Sequence, residues 1–468
     1  MRQFEGKKAA LHNLGCKVNA YETDAMAALL KEAGFSIVPF GDKADVYVIN
    51  TCSVTNIADR KSRQMIHKAR KMNPASIIVA AGCYVQTAID KTGLGIDADI
   101  ILGTGRKNEL VTEIGKYMEL HQADPLVDVA DLRTDRTYDN LLLPKLEGHT
   151  RAYIKVQDGC DMYCSYCIIP YARGHVRSRK IDDVVSELTH LAEEGTREVV
   201  LTGIHLSSYG VDFPESEGST WQERSRLIDL IEAAAAIDGI ERIRLGSLEP
   251  TIITEESALR MSRIRKLCPH FHLALQSGCD SVLERMNRHY STEEYKKGLA
   301  ILRTYFDDPA LTTDVIVGFP GETEEEFGET VKFLREIRLY ETHIFRYSRR
   351  AGTRADRMEG QLTEAVKAER AEVLETIGEE NRKAFIQGKN GMAAEVLVEE
   401  LAGERVPNAA GGANGSAEEI AADAGKPGKK LYAGYTKDYI RTCVWSDTDI
   451  RGQIISGRLL VESSVLLV

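Results

Sequence analysis

The chain has 468 residues, 43% of them hydrophobic and 28% charged, with a formal net charge of −11. Two or three domains are expected at that length, and the acidic balance excludes a surface that coats nucleic acid indiscriminately, leaving only local basic patches for such contacts. There is no membrane-length apolar run and the start, MRQFEGKKAALHN, has no signal-peptide core, so a cytoplasmic protein without membrane contact is expected, and its nine cysteines point to metal or redox chemistry rather than disulfides.

The N-terminal part alternates strands and helices. KAALHNLG reads as a strand, and YETDAMAALLKEAG as a helix in which Ala25, Met26, Leu29, Leu30 and Ala33 share a face and Gly34 is the stop. ADVYVIN is the next strand, then a basic helix over 57–71, then SIIVAAG, ADIILGTG and the helical RKNELVTEIGKYMEL. Such alternation implies a doubly wound parallel sheet. Cys16, Cys52 and Cys83 each follow one of the first three strands. The carboxyl ends of strands line the ligand crevice of such a sheet, so these three cysteines are expected to converge as a three-thiolate site. GTGRKN is incomplete as a nucleotide-binding loop.

A polar stretch over about 120–149 reads as a linker. From Arg151 a second alternation begins, with strands in RAYIKVQ, REVVLTGI, RIRLGSL, HLALQS, TTDVIVGF and THIFRYS. Six units are too few for an eight-fold barrel, so a partial barrel is expected. Its first strand leads into VQDGCDMYCSYCIIPYARG, where Cys160, Cys164 and Cys167 are spaced C-x3-C-x2-C. Structural zinc and completed iron–sulfur clusters normally take four protein ligands. Three thiolates this close suggest a cluster with one position left open for a small molecule. A helical segment then leads to AAEVLVEEL, LYAGYTKDYIRTCVW and GQIISGRLLV, read as strands of a small all-β module. The Gly/Ala-rich stretch between Val406 and Lys426 reads as a flexible insertion.

Together these motifs resemble the radical S-adenosylmethionine (SAM) enzymes, specifically the methylthiotransferase family, over nearly the whole chain. GCDMYCSYCIIPYARG, FHLALQSGCDSVLERMNRHYS, DVIVGFPGETEEEF, NLGCKVNAYET, VINTCSVTN and AAGCYVQ carry the resemblance. The last region resembles a TRAM domain, a small RNA-binding β-barrel. The resemblance implies an N-terminal methylthiotransferase domain over 5–120, a (β/α)6 radical SAM core over 146–377 and a TRAM-like domain over 382–468. It also implies two [4Fe-4S] clusters. One, on Cys160, Cys164 and Cys167, would bind SAM and cleave it to a 5′-deoxyadenosyl radical. The other, on Cys16, Cys52 and Cys83, would carry the sulfur to be transferred, and a second SAM would supply the methyl group. No catalytic residue beyond the cluster ligands is implied, and the protein would position and shield the cofactors.

The wording of NLGCKVNAYET and CSVTNIADRKSRQ is most similar to the tRNA branch that converts N6-threonylcarbamoyladenosine beside the anticodon (position 37) to its 2-methylthio derivative. tRNA and an electron donor such as flavodoxin or ferredoxin are the implied partners. The alternatives are methylthiolation of isopentenyl-modified adenosine or of a ribosomal-protein aspartate, or a non-enzymatic iron–sulfur electron carrier. By the family pattern Tyr166 would flank the SAM adenine, and Gly203, Gln276, Ser277 and Gly318 would approach the cofactor at strand ends. Glycine there also fits ordinary turn chemistry. Thr323 with Glu326 fits a capping box, and Cys268, Cys279 and Cys443 read as structural. Three basic runs are candidates for RNA phosphate: Arg60 to Lys71, Arg173 to Lys180 and Arg346 to Arg354. Arginines of RYSRRAGTR are candidate cations for the substrate's carboxylate.

Overall fold

The computed structural model describes residues 4–92, 95–120, 124–142, 150–402, 430–461 and 465–467. The first sheet holds six parallel strands in the order β2-β1-β3-β4-β5-β6. They are β1 (Lys8–Asn13), β2 (Ser36–Ile37), β3 (Val46–Thr51), β4 (Ile77–Gly82), β5 (Ile100–Leu102) and β6 (Leu126–Asp128). The central strands are continuous apolar runs because both faces are covered. Met26 and Leu30 of helix Lys17–Glu32 and Leu110 and Ile114 of helix Leu110–Leu120 pack on one face. Ile66 and Ala69 of helix Asn56–Met72 and Tyr84 and Val85 of helix Cys83–Thr92 pack on the other.

The stretch read as a linker is partly structure. It supplies β6, which pairs with β5, and Leu141, which is buried in the central core and accepts a 2.5 Å hydrogen bond from Tyr21 Oη.

β7 (Arg151–Lys155) opens the second unit, followed by the two-residue strands β8 (Gln157–Asp158) and β9 (Arg177–Ser178), which pair with each other. β10 (Glu198–Thr202), β11 (Arg242–Leu245), β12 (His270–His272), β13 (Ala310–Val317) and β14 (Glu341–Arg346) complete it. β7, β10 and β11 form one parallel sheet and β12, β13 and β14 another. Parallel bridges Ile243↔Leu267 and Leu248↔Leu273 join them. The result is the expected six-stranded partial barrel, open between β14 and β7. Helix Lys17–Glu32 of the first domain packs against β7, and its Tyr21 and Ala25 belong to the barrel's own core cluster.

β15 (Ala393–Leu401), β16 (Lys430–Thr436), β17 (Arg441–Ser446), β18 (Ile454–Leu460) and β19 (Val465–Leu467) close a small barrel. LYAGYTKDYIRTCVW, expected as one strand, is the hairpin of β16 and β17. The Gly/Ala-rich stretch 406–426 lies outside the described residues. This barrel caps the amino-terminal ends of the central strands. Arg242 donates to the Tyr435 and Glu395 carbonyls at 3.0 and 2.8 Å, and Arg244 to the Lys437 and Thr436 carbonyls at 2.8 and 2.6 Å. Among the described residues no helix is long and apolar enough to cross a membrane.

Candidate active site: two facing thiol triads

Cys16, Cys52 and Cys83 do converge at the carboxyl ends of β1, β3 and β4. Cys16 occupies the N-cap of helix Lys17–Glu32. Gly15 has φ +109°, and a Cβ on it would stand 2.8 Å from Cys52 Sγ, so only glycine lets the Cys16 loop lie against Cys52. Asn19 ties the loops together, its amide donating to the Leu14 and Thr51 carbonyls at 2.6 and 3.1 Å. Burial pushes the Cys52 thiol up to about 11, opposed by a backbone hydrogen bond and reinforced by Cys83 and Cys16. Burial also raises the Cys83 thiol, with Arg173 pulling the other way.

The second triad stands at the barrel mouth. Its loop is pinned by Cys160 N–H donating to the Gly174 carbonyl at 3.0 Å and Ser165 Oγ donating to the Arg285 carbonyl at 2.9 Å. Gly159 at φ +71° passes so close to His175 that a Cβ would lie 1.8 Å from its carbonyl oxygen. Burial raises the Cys160 thiol and, with neighbouring Cys164, pushes Cys167 up to about 12. Thiols bind metal as thiolates, so a metal would take the place of these protons. Both sets therefore fit an iron–sulfur group in chemistry and in number, with three thiols each.

Arg288 and Glu249 carry no distinguishing mark in the sequence. Arg288 Nη1 lies 3.1 Å from Cys164 Sγ and Nη2 is 2.7 Å from Glu249 Oε2. Burial would raise the Glu249 carboxyl, but Arg288 and His205 outweigh it and hold it low. Arg288 lies inside the motif stretch MNRHYS, but a basic residue there gives no sign of its partner.

Of the five further residues, Tyr166 meets Phe319 edge-on at 6.5 Å. A Cβ on Gly203 would stand 2.8 Å from Gln157 Oε1, and one on Gly318 (φ +71°) 2.3 Å from Lys367 Cγ; packing alone requires both glycines. Gln276 is buried with φ 69°, a strained conformation for a side-chain-bearing residue. Ser277 Oγ lies 3.3 Å from Thr330 Oγ1, on the helix Glu324–Ile337 side. The Thr323–Glu326 capping box is present. Cys268, Cys279 and Cys443 are buried.

Much of two basic runs is not free for phosphate, although Lys180, Arg346 and Arg354 are exposed. Arg173 is fully buried and bonds Glu22 at 2.9 Å and Asp158 at 3.0 Å. Lys155 bonds the same two carboxylates at 2.8 and 2.6 Å, and Lys107 also pairs with Glu22. Arg177 and Arg179 are buried and face Asp158 and Glu187. Arg350 is buried against Asp59 of the first domain, which removes it as a substrate cation, while Arg349 makes a surface pair with Asp356. In helix Asn56–Met72, by contrast, Arg60, Lys61, Arg63, Lys68 and Lys71 are exposed. In GTGRKN, Lys107 is spent on Glu22.

Residues 154–334 match the model of the radical SAM superfamily, and residues 8–103 match an uncharacterized protein family, UPF0004. The threonylcarbamoyladenosine tRNA methylthiotransferase MtaB of Bacillus subtilis is 38% identical over 96% of this chain and 93% of that protein. Its Aquifex aeolicus counterpart is 38% identical over 84% and 92%. The tRNA-2-methylthio-N(6)-dimethylallyladenosine synthase of Syntrophus aciditrophicus is 32% identical over 85% of each. The solved radical SAM methyltransferase TsrM of Kitasatospora setae shares the fold, with TM-score 0.50, 14% identity and 73% of each chain covered. A three-thiol loop on a partial barrel thus defines a radical SAM enzyme, a class that uses a [4Fe-4S] cluster and SAM. Within that class the chain belongs to the methylthiotransferase family, enzymes that transfer a methylthio group.

Proposed function

We propose that this enzyme methylthiolates C2 of N6-threonylcarbamoyladenosine at position 37 of tRNA, in the cytoplasm, with two [4Fe-4S] clusters and two SAM per turnover. Cys160, Cys164 and Cys167 hold one cluster, and Cys16, Cys52 and Cys83 the other. The observation that carries this reading is Arg173. It closes the helix Ile169–Arg173 just after Cys167, yet its charge acts on Cys83 and Cys52. The segment that follows the second triad is thus tied to the first domain by a buried ionic lock.

When bound, the clusters and SAM supply the one-electron and sulfur-transfer chemistry that an unactivated aromatic C–H bond demands. The chain's own residues hold and enclose. Glu22, Lys155, Asp158 and Arg173 lock the first domain to the barrel, and Arg288 and Glu249 present a charged edge at Cys164. Tyr166, Gly203, Gln276, Ser277 and Gly318 shape the cofactor's side of the mouth. A donor such as flavodoxin or ferredoxin supplies electrons. The domains follow the ranges 5–128, which takes in β6 beyond the expected limit of 120, 146–377 and 382–468, the last an RNA-binding module.

The identity of the relatives supports the substrate: those named for threonylcarbamoyladenosine reach 38%. The test is mass spectrometry of tRNA nucleosides from cells with and without the protein. Loss of the 2-methylthio derivative of threonylcarbamoyladenosine alone is expected. Loss of the isopentenyl-derived product instead would move the enzyme to the sister branch.

A further inference from the structure

Three side chains on the barrel's inner wall take no part in either triad or in the ionic lock. His272 at the end of β12, Asp314 on β13 and His343 on β14 bring one donor or acceptor atom each within 4.8 Å of one another. Asp314 and His343 are register partners. His272 Nδ1 is fixed by Thr312 Oγ1 at 3.0 Å, which turns Nε2 toward Asp314 Oδ2, 3.4 Å away. The two imidazoles stack with centroids 5.9 Å apart. Asp314 lies four residues before Gly318, just past the end of β13, while Gln276 bridges Val315, one residue above Asp314. At about 3.3 Å per residue the cluster sits about 13 Å below the mouth. Tyr439 lies beneath it, against His270 at the start of β12.

Lys17 completes the set. It follows Cys16 directly and lies within electrostatic reach of Asp314, Arg151 and Arg244. Its side chain is exposed. Among the described residues it has no hydrogen-bond or ion-pair partner. Above His343, two residues along the same face of β14, Phe345 is 51% exposed and offers a ring to a base.

We propose that Lys17, His272, Asp314 and His343 form the subsite for the threonylcarbamoyl group of the substrate adenosine. This rests on the substrate reading given above. The side group carries a carboxylate, a hydroxyl and a urea. The ammonium of Lys17 and an imidazole N–H suit the carboxylate, while Asp314 accepts from the hydroxyl or a urea N–H. A branched hydrocarbon in the same place would leave all four without partners, which is how a polar site rejects an apolar analogue. Two histidines and a carboxylate are also a donor set for a divalent cation. The positive charges within electrostatic reach of one another here, Lys17, Arg151 and Arg244, disfavour a cation and favour an anionic ligand.

The test measures affinity of the iron-loaded protein, with SAM, for anticodon stem-loop RNAs bearing threonylcarbamoyladenosine, isopentenyladenosine or unmodified adenosine. The ratio of affinities is read within each variant, so general losses cancel. Wild type is expected to prefer the threonylcarbamoyl RNA, and Lys17→Met, Asp314→Asn and His343→Leu each to reduce that preference about tenfold or more. Iron content and melting temperature check folding. Lys17 adjoins a cluster ligand, so if Lys17→Met fails to load iron, the two barrel-strand variants decide. A preference that survives in all folded variants overturns this inference alone. A wild-type preference for the isopentenyl RNA overturns it together with the substrate reading. A stoichiometric non-iron divalent metal in wild type, absent in Asp314→Asn, overturns it in favour of a metal site.

Discussion

The guanidinium of Arg244 stacks over the ring of Tyr439, 4.7 Å from its centroid, joining the barrel's wall to the turn between β16 and β17. Arg151 approaches the same ring at 5.1 Å and donates to its hydroxyl at 3.2 Å, and Tyr435 stacks on it at 4.7 Å. Glu198 balances the arginines, bonding Arg244 at 2.8 Å. The module expected only to bind RNA is therefore also the floor of the barrel.

Tyr439→Ala is accordingly expected to destabilise the full-length protein by about 2 kcal/mol, through two cation–π interactions and the missing ring. Tyr439→Phe keeps the ring and is expected to cost less than about 1 kcal/mol. Thermal or denaturant unfolding measures both. Removal of all residues after Ile386 should be worse than either, because it leaves Arg151, Arg242 and Arg244 without their carbonyl and aromatic partners.

The iron content separates the two triads. Anaerobically reconstituted protein is expected to carry about eight iron atoms as two cubanes. Changing Cys160, Cys164 and Cys167 to Ala should halve the iron and abolish SAM cleavage. Changing Cys16, Cys52 and Cys83 should also halve it while leaving uncoupled cleavage. Full iron in the second variant would show that the N-terminal triad holds no cluster.

The ionic lock predicts an acid limit. Burial raises the Glu22 carboxyl, but Arg173, Lys107 and Lys155 outweigh it and hold it well below its usual value. A depressed folded-state value means that the stabilisation is complete above the unfolded value of about 4.3 and is lost as pH falls through the folded one. Stability from this group should thus persist at pH 5 and disappear only in stronger acid. Glu22→Gln leaves buried Lys107 without its carboxylate and Lys155 and Arg173 with Asp158 alone, and is expected to cost about 3 to 5 kcal/mol at pH 7. Denaturant melts across pH measure both.

Sequence reaches some of this and not the rest, for identifiable reasons. The convergence of Cys16, Cys52 and Cys83 is legible because each directly follows a strand, and parallel topology sends such positions to one edge. Arg173 reads as a phosphate ligand in the sequence because its partner, Glu22, belongs to another domain. A charge run shows sign, not what faces it. The cluster of Lys17, His272, Asp314 and His343 is invisible for the same reason. It needs the register of β13 with β14 and the docking of a helix from the first domain. β6 escapes notice because three residues give no period.

The burial of those arginines also sharpens where RNA phosphate should lie. With Arg173, Arg177, Arg179 and Arg350 held in ion pairs, helix Asn56–Met72, which follows Cys52, offers the densest run of exposed basic residues. Lys61, Lys68 and Lys71 share a face at helical spacing and are solvent-exposed. Changing all three to Ala should leave the fold intact, since none is packed. Each phosphate-binding lysine removed should lower the slope of log affinity against log salt by about 0.7 to 0.9, so a decrease of about 2 to 3 is expected with tRNA. The weakening should be uniform across RNAs with and without the side group on adenosine, because phosphate contacts position and do not discriminate. That separates this surface from the Lys17 subsite, whose variants should change the preference. An unchanged salt slope in a folded triple variant would take the phosphate path off this helix and leave it to the C-terminal barrel.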